Sequence, residues 1–590
     1  MKIFLYSILI LFNISANSNT IEVIELHENK SLDQLVLDKI ENENIDLEID
    51  ENINNLTQEQ IETNTKNENI SDLNLVEEKT IKPNESFWNE IEPNYLNLIL
   101  SNVENIESEF IQNEFNNLLF NLNLDYELKK NRDIFNLIIN YFYKTGNLSK
   151  AYSLIKSRNI ENDENSVFYN FLKMNYLLST FQLEEVCNFK NQLSEDNKKN
   201  NKFMYKIDIF CLILEDKLSE AQLLNSIMLE TDTNVDQSFQ ELFILLTEFN
   251  NSENNNFIFP NNINPELIFL YSAMARIAEL PLNEYFLTVD PFNMAIPIIL
   301  NKSTPIDLRI KAANLSFINQ DISIDSLAAL YQSVDFNSEQ LNNPEVTVKQ
   351  LSENIDILMS YYFQLINIQI FPSERLQVLM SFWEFAKKNN LEHIAYSLSN
   401  KIVDSIEITS EYLIYSPQIA LSYIYNKNFE KALDWIDFYE NVNGIDDKST
   451  FVRVLLNLYS SDELVSIIDI ITNNFDNLTD NSNINNQELI FILFNILDKN
   501  PKDLLSYNFD IIYDQRLMPS LFILENIKQA INDNDNEALL IYSAISLDNR
   551  EWKDIHPNHL ELILNGFLNY KNNNLIKDII LEIFKNYNIL

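Results

Sequence analysis

The strings YKTGNLSKAYSLI (143–155), LSTFQLEEVCNF (178–189) and ILEDKLSEAQLL (213–224) decide the fold of this chain. The first holds Leu148, Ala151 and Leu154. A step of 35 residues reaches Leu183, Val186 and Phe189, and a second step of 35 reaches Leu218, Ala221 and Leu224. Each trio is large, small or β-branched, then large, at three-residue intervals, which places it on one face of a helix. The residue two before each leucine is Gly146, Phe181 or Asp216. Each string therefore reads as the end of a helix A, a short turn and the start of a helix B. The middle residue lies where the two helices cross, and a small side chain there lets the axes approach. The same pattern returns as Phe429, Ala432 and Trp435 in YNKNFEKALDWI (425–436). Fainter echoes are Leu464 with Ile467, Leu391 with Ile394, and Leu575 with Asp578.

Outward from these strings the dominant period stays helical. Ile134, Leu137, Ile138, Tyr141 and Phe142 line one face, as do Leu575, Ile579, Ile580, Ile583 and Phe584. Strand-like alternation is sustained nowhere. Asn, Asp and Ser clusters punctuate the helices, because their side chains cap helix starts and tolerate the left-handed backbone region. The fold class expected is all-α, a degenerate stack of helical hairpins.

These hairpins resemble tetratricopeptide-like repeats. The likeness is carried by the turn residue Gly146, the small Ala151, Ala221 and Ala432, and the large apolar residues around them, over about a third of the chain. It implies an α-solenoid that presents helical faces to protein partners. The broader layout is similar to that of large exported helical proteins of alphaproteobacteria, a likeness that brings no activity with it.

Composition narrows the function classes. The 590 residues contain only 3 glycines, Gly146, Gly444 and Gly566. Glycine-built phosphate cradles need two or three glycines at close fixed spacing, so Rossmann, P-loop and kinase-type loops are excluded. Lys and Arg number 42 against 88 Asp and Glu, a formal net charge of -46. Nucleic acids and anionic lipid surfaces require clustered cations and are not expected partners. Neutral or basic proteins are.

The chain begins Met1-Lys2, an apolar run from Ile3 to Ile14, then Ser15-Ala16-Asn17-Ser18. This is the layout of an export signal, with cleavage after Ala16 or after Ser18. The alternative is a short membrane anchor, for which the run is too brief. Residues 17–85 are expected to be an acidic, disordered spacer. Between Ile21 and Pro83 lie about 17 acids and 5 bases, too little apolar matter to offset ordering entropy. Within it, Leu32, Leu35, Val36 and Ile40 have the spacing of a transient helix or a docking segment. The body then divides into a repeat arm (86–250), a central helical region with proline-rich loops (251–345) and a C-terminal repeat region (346–590). The breaks at Asn250–Pro265, Leu280–Pro305 and Asp335–Pro344 read as long loops within one stack. A softer break falls at Asn473–Gln487.

Cys187 and Cys211 are expected to form a disulfide, since an exported chain with an even cysteine count favours one. They fall on helix B of one hairpin and helix A of the next. His556-Pro-Asn-His559 has the spacing to place two imidazoles on one helix face, with Asp554 or Glu561 as added oxygen donors. A catalytic zinc needs three protein ligands, so these are read as two surface histidines. His27 falls in the spacer, and His393 is read as exposed. No G-x-S-x-G exists to present a serine nucleophile. Tyr361, Tyr362 and Phe363, and Tyr412 with Tyr415, are read first as core and second as partner-facing.

No catalytic, cofactor or metal residue is assigned and no cofactor is expected. The function expected is that of an exported, periplasmic or secreted scaffold or adaptor, without catalytic activity, for protein partners in the cell envelope, with no membrane span after signal cleavage. The alternative is a glycan-binding protein or a carboxylate-based cell-wall enzyme. Metal storage or sensing by the acidic surface is a weaker third.

Overall fold

The computed structural model describes residues 91–587, apart from 123–127, 158–162, 194–201, 232–234, 248–256, 320, 461–483, 497–514, 569 and 571–572. The export signal, the acidic spacer, His27 and the Leu464/Ile467 echo lie outside the described residues, as does most of the 473–487 break.

Among the described residues there are 27 α-helices and no strand. The first nine are α1 (Pro93–Ser101), α2 (Glu109–Phe120), α3 (Lys129–Lys144), α4 (Leu148–Lys156), α5 (Ser166–Ser179), α6 (Leu183–Gln192), α7 (Lys202–Leu214), α8 (Leu218–Thr231) and α9 (Gln237–Thr247). The middle of the chain supplies α10 (Ile268–Ile277), α11 (Glu284–Val289), α12 (Ala295–Leu300), α13 (Ile306–Ile318), α14 (Ile324–Gln332), α15 (Ser338–Asn342), α16 (Pro344–Leu351), α17 (Ile355–Ile368) and α18 (Pro372–Lys388). The rest are α19 (Glu392–Val403), α20 (Ser416–Tyr425), α21 (Phe429–Asn443), α22 (Asp447–Ser460), α23 (Ile484–Ile496), α24 (Leu521–Asp533), α25 (Asn536–Leu547), α26 (Pro557–Leu568) and α27 (Asn573–Asn586).

Helix starts use the residues that the composition offers in place of glycine. Ser108, Ser323, Asn354, Asn428, Ser520 and Asp535 each accept a first-turn amide, which satisfies one of the orphan donors of the helix start. Asn337 forms a reciprocal capping box with Gln340. Pro93, Pro344 and Pro372 stand at first helical positions, where a missing amide costs nothing.

Seven hairpin turns share one backbone solution. The helix ends on a left-handed residue: Gly146, Phe181, Asp216, Glu279, Asn390, Lys427 or Asn534. In each turn the amide after that residue donates to the carbonyl five residues back, as in Asn147 to Phe142 (2.7 Å), Gln182 to Leu177 (2.8 Å) and Lys217 to Leu212 (2.9 Å). The left-handed residue itself donates three residues back, as in Gly146 to Tyr143 and Phe181 to Leu178. This paired closure recovers the carbonyls that a helix end otherwise leaves open. Six of the seven residues carry a Cβ, against a cost of ~1–2 kcal/mol each. Expectation and structure differ here: the turn residues include Phe, Glu and Lys, not only Asn, Asp and Ser. The two backbone hydrogen bonds, rather than a side chain, close the turn.

Five residues after the left-handed position, five of these seven turns place a small or β-branched residue inside. Ala151, Val186, Ala221, Ala395 and Ala432 are all fully buried there. Asn390 thereby shifts the faint Leu391/Ile394 echo by one: Glu392 opens α19, and Ala395 takes that position. Leu575 and Asp578 lie within α27 beyond its first residue, so that echo does not mark a helix start.

Helices pack against sequence neighbours as hairpin-like pairs, and the path of contacts is closed. It runs α3–α4–α5–α10–α12–α13–α19–α20–α22–α27 and returns through α2. The α2–α3 step is made by Phe115 on Tyr141 and Phe120 on Phe142. One apolar core follows this path throughout. Links cross the expected region boundaries: Asp236 to Tyr271 spans 250/251, and Asn314 to Asp356 (2.9 Å) spans 345/346. The Leu280–Pro305 break holds two short helices, α11 and α12, and packs onto the turn at Gly146.

Candidate functional site

The repeat arm holds most of the residues singled out by sequence. Cys187 on α6 and Cys211 on α7 form a disulfide with Cα atoms 5.6 Å apart, both buried. It ties the second hairpin to the third. Beside it Lys190 pairs with Asp208 at 2.8 Å, again α6 to α7. Leu148 is buried, while Leu154, Leu183, Phe189, Leu224 and Phe429 are partly buried against the core, and Trp435 is buried. Leu218 departs from its expected packing role: it is 37% exposed. The reason is what lies outside the turn. Leu148 is covered by the loop bearing Phe292 and Asn293, and its amide donates to Asn293 Oδ1 at 3.3 Å.

That loop explains why residue 146 is glycine. Gly146 has φ +81°, and a Cβ there would stand 2.0 Å from the Cβ of Phe292. Asn293 Nδ2 donates to the Tyr143 carbonyl (3.3 Å) and to Asp290 Oδ2 (3.0 Å), clamping the loop to the helix end. Between loop and hairpins lies a partly open cleft lined by Tyr176, Ser179, Thr180, Asn293, Ile296 and Asp321. Burial raises the pKa of Asp290 above the usual carboxylate value, against the hydrogen bonds from Asn293.

Further along, a buried polar knot joins α7, α9 and α10. The Lys206 ammonium and the Tyr271 hydroxyl both donate to Asp236, which also accepts the Phe239 amide at 3.2 Å as the cap of α9. Burial opposes ionisation of Asp236, but these donors hold its pKa below the ordinary value. The knot uses every group it contains and is structural.

The two paired histidines part company. His559 is fully buried rather than on the surface, and His556 accepts the Asn558 amide on Nδ1 (3.2 Å). His559 Nε2 lies 3.0 Å from Ser546 Oγ, a serine–imidazole contact of the kind hydrolases use. The third group of such a triad is missing here, since His559 Nδ1 is buried without a hydrogen-bond partner among the described residues. The Ser543 carbonyl lies 2.7 Å from the Ser546 hydroxyl and is a second acceptor for its proton. Burial, then Arg550 and His556, lower the His559 pKa to about 4. Glu561 contacts Asn495 instead (3.4 Å). Among the described residues no group of three or more His, Cys, Asp or Glu is placed to hold a metal ion.

His393 is exposed and stacks on Phe317. Tyr361, Tyr362, Phe363 and Tyr412 are buried, and Tyr415 is partly buried. Sequence reading missed the seam between α2 and the last helices. Glu582 accepts from Ser108 Oγ (2.6 Å), the Glu109 amide (2.9 Å) and Trp552 Nε1 (3.0 Å). Asn549 donates to the Asn105 carbonyl at 2.8 Å. Ser108, Glu109 and Asn105 each lie over 400 residues from their partners, and no local pattern marks them.

The apolar surface that remains is uneven. On α8, Ala221 and Asn225 face inward, while Leu223 (64% exposed) and Ile227 stand one turn apart on the outward face. Leu218 and Leu229 flank them, also exposed. No helix among the described residues is long and apolar enough to cross a membrane. No family model, no curated protein and no solved structure matches this chain.

Proposed function

We propose that this chain is an exported, tetratricopeptide-like helical scaffold that holds a protein partner in the cell envelope and carries no catalytic activity of its own. The observation behind this reading is the outward face of α8. Leu223 and Ile227 project from it, beside the exposed Leu218 and Leu229. Apolar residues gathered on one outward helix face are typical of protein-binding surfaces. The net charge of -46 favours a neutral or basic partner through long-range attraction. The disulfide supports residence in an oxidising compartment.

Crosslinking in intact cells tests the proposal. The wild-type chain should recover a defined partner, and Leu223→Asp should lose it. Equal recovery by both proteins overturns the assignment to α8. N-terminal sequencing of the mature chain should begin at Asn17 or Asn19, and a retained Met1 would remove the export claim.

The cleft beside Gly146 favours a second reading, a glycan-binding protein or carboxylate-based cell-wall enzyme. Asp290, with its raised pKa, hydrogen-bonds the cleft residue Asn293. Incubation with purified peptidoglycan should then retain the protein or release new muropeptides. The absence of both would dismiss this reading.

A further inference from the structure

Asparagine is abundant in this chain and glycine is scarce, so asparagine is followed by glycine at only two places, Asn443-Gly444 and Asn565-Gly566. That dipeptide has a chemistry of its own. With no side chain on the second residue, its backbone nitrogen can swing onto the asparagine side-chain carbonyl. The attack needs an exposed pair whose backbone is free to turn, and the fold treats the two pairs in opposite ways.

Asn565 lies inside α26, and Gly566 after it is buried. A Cβ built on Gly566 would stand 2.7 Å from Leu539 Cδ1 and 3.2 Å from Ile531. Helix hydrogen bonds and packing hold this backbone, so the pair turns only when α26 opens. Asn443 is instead the last residue of α21, and Gly444 follows it with φ +78°. Asn443 is exposed, as are Val442 and Ile445 beside the pair. Among the described residues nothing lies within 4 Å of a Cβ built on Gly444. The Gly444 amide donates to the Glu440 carbonyl at 2.9 Å, the final hydrogen bond of α21. Helix ends of this kind open at little cost.

We infer that Asn443 is a site of spontaneous modification, converting to aspartate and isoaspartate while the fold keeps Asn565 an amide. The Gly444 nitrogen gives its proton to solvent and bonds to Asn443 Cγ. The Cγ–Nδ2 bond breaks, ammonia leaves, and a cyclic imide closes. Water then opens the imide at either carbonyl. One opening restores the backbone as aspartate, and the other routes it through the side-chain carbon as isoaspartate. One water enters for each ammonia lost, and no oxidant or cofactor takes part. Either product sets a new carboxylate at the C-terminal end of α21, where the helix dipole disfavours it. Glu440, one turn earlier on the same face, adds like charge. Conversion therefore frays the last turn of α21 as the protein ages.

Peptide mapping by mass spectrometry tests this on the intact chain, aged at mildly alkaline pH in heavy-oxygen water. The peptide holding Asn443 should change from amide to acid with uptake of heavy oxygen, and separate into two isomers. It should do so about tenfold or more faster than the peptide holding Asn565. In concentrated urea the two pairs should convert at similar rates. Gly444→Ala should slow the reaction and Asn443→Gln should stop it, both at exposed positions that leave the body folded. Hydrogen exchange of amides 441–444 should quicken after ageing, and exchange in the hairpins between 143 and 224 should not. An Asn443 that stays an amide while the urea-unfolded chain converts overturns the inference. So does equal conversion of the two pairs in the folded chain, or a difference between them that persists in urea. Conversion with unchanged exchange at 441–444 overturns the fraying.

Discussion

The turn at Gly146 and the turn at Asp216 are the same object in backbone terms. Both end a helix in the left-handed region, both close it with the same two hydrogen bonds, and both are followed after five residues by a buried alanine. Their surroundings differ. Phe292 and Asn293 press on the first turn, whereas the second faces outward with Leu218 exposed. Backbone hydrogen bonding therefore sets the conformation, and the approach of other chain segments sets which residue can occupy it.

The sharpest way to break the comparison is Gly146→Ala. The new Cβ takes on the left-handed strain and must also displace Phe292, so a loss of about 4 kcal/mol is expected from the two terms together. Urea denaturation would measure it, and a loss under 1 kcal/mol would mean that Phe292 yields freely. Reduction of Cys187–Cys211 comes next. Releasing a loop of this size should cost about 3 kcal/mol, concentrated in the hairpins flanking the bridge. Hydrogen exchange with and without reductant would locate the effect, and uniform loosening would contradict it.

The histidine pair repeats the contrast of covered and open. His559 has its pKa lowered to about 4, so the unfolded chain binds the proton more readily. Its contribution is complete above its unfolded pKa near 6.5 and falls away as pH drops through about 4. About 3 kcal/mol should be lost across that window. His559→Gln should flatten this slope and His556→Gln should not, as read from melting temperatures at several pH values. Leu148→Ala should then cost about 2 kcal/mol, and Leu218→Ala under about 0.5 kcal/mol. Equal costs would remove the distinction between the two turns. The smallest expected effect is a gain. Asp216→Gly and Lys427→Gly relieve left-handed strain at open turns and should add up to about 1 kcal/mol, less the added entropy of the unfolded chain. A loss at both sites would show that their side chains hold the turn.

Much of this was legible in the sequence. The 35-residue step picked out Ala151, Val186 and Ala221, all three fully buried, because a helix face turned inward leaves room for few residue types. The spacing of Cys187 and Cys211 put them on adjacent helices for the same reason. The left-handed Phe181 and Lys427 were not legible, because the hydrogen bonds that hold them are independent of side chain. Leu218 matched its repeat position but is exposed, because cover for it could come only from residues distant in sequence. His559 was misplaced because nothing near it in sequence signals the polar core formed with Ser546. The seam at Glu582 was invisible for the same reason on a larger scale, its donors arriving from Ser108, Glu109 and Trp552.

That seam bears on how such a chain can change length. An open stack of hairpins grows by duplicating a unit, since each repeat touches only its neighbours and the terminal units simply move apart. Here α2 is bonded to α25 and α27, so an inserted hairpin would have to fit into a closed circuit. It would pull Ser108 away from Glu582 unless a second insertion or a change of helix tilt made up the difference. Closure thus converts a modular architecture into one of fixed circumference. Duplication is no longer free, and divergence of the existing units is left as the easier route for variation.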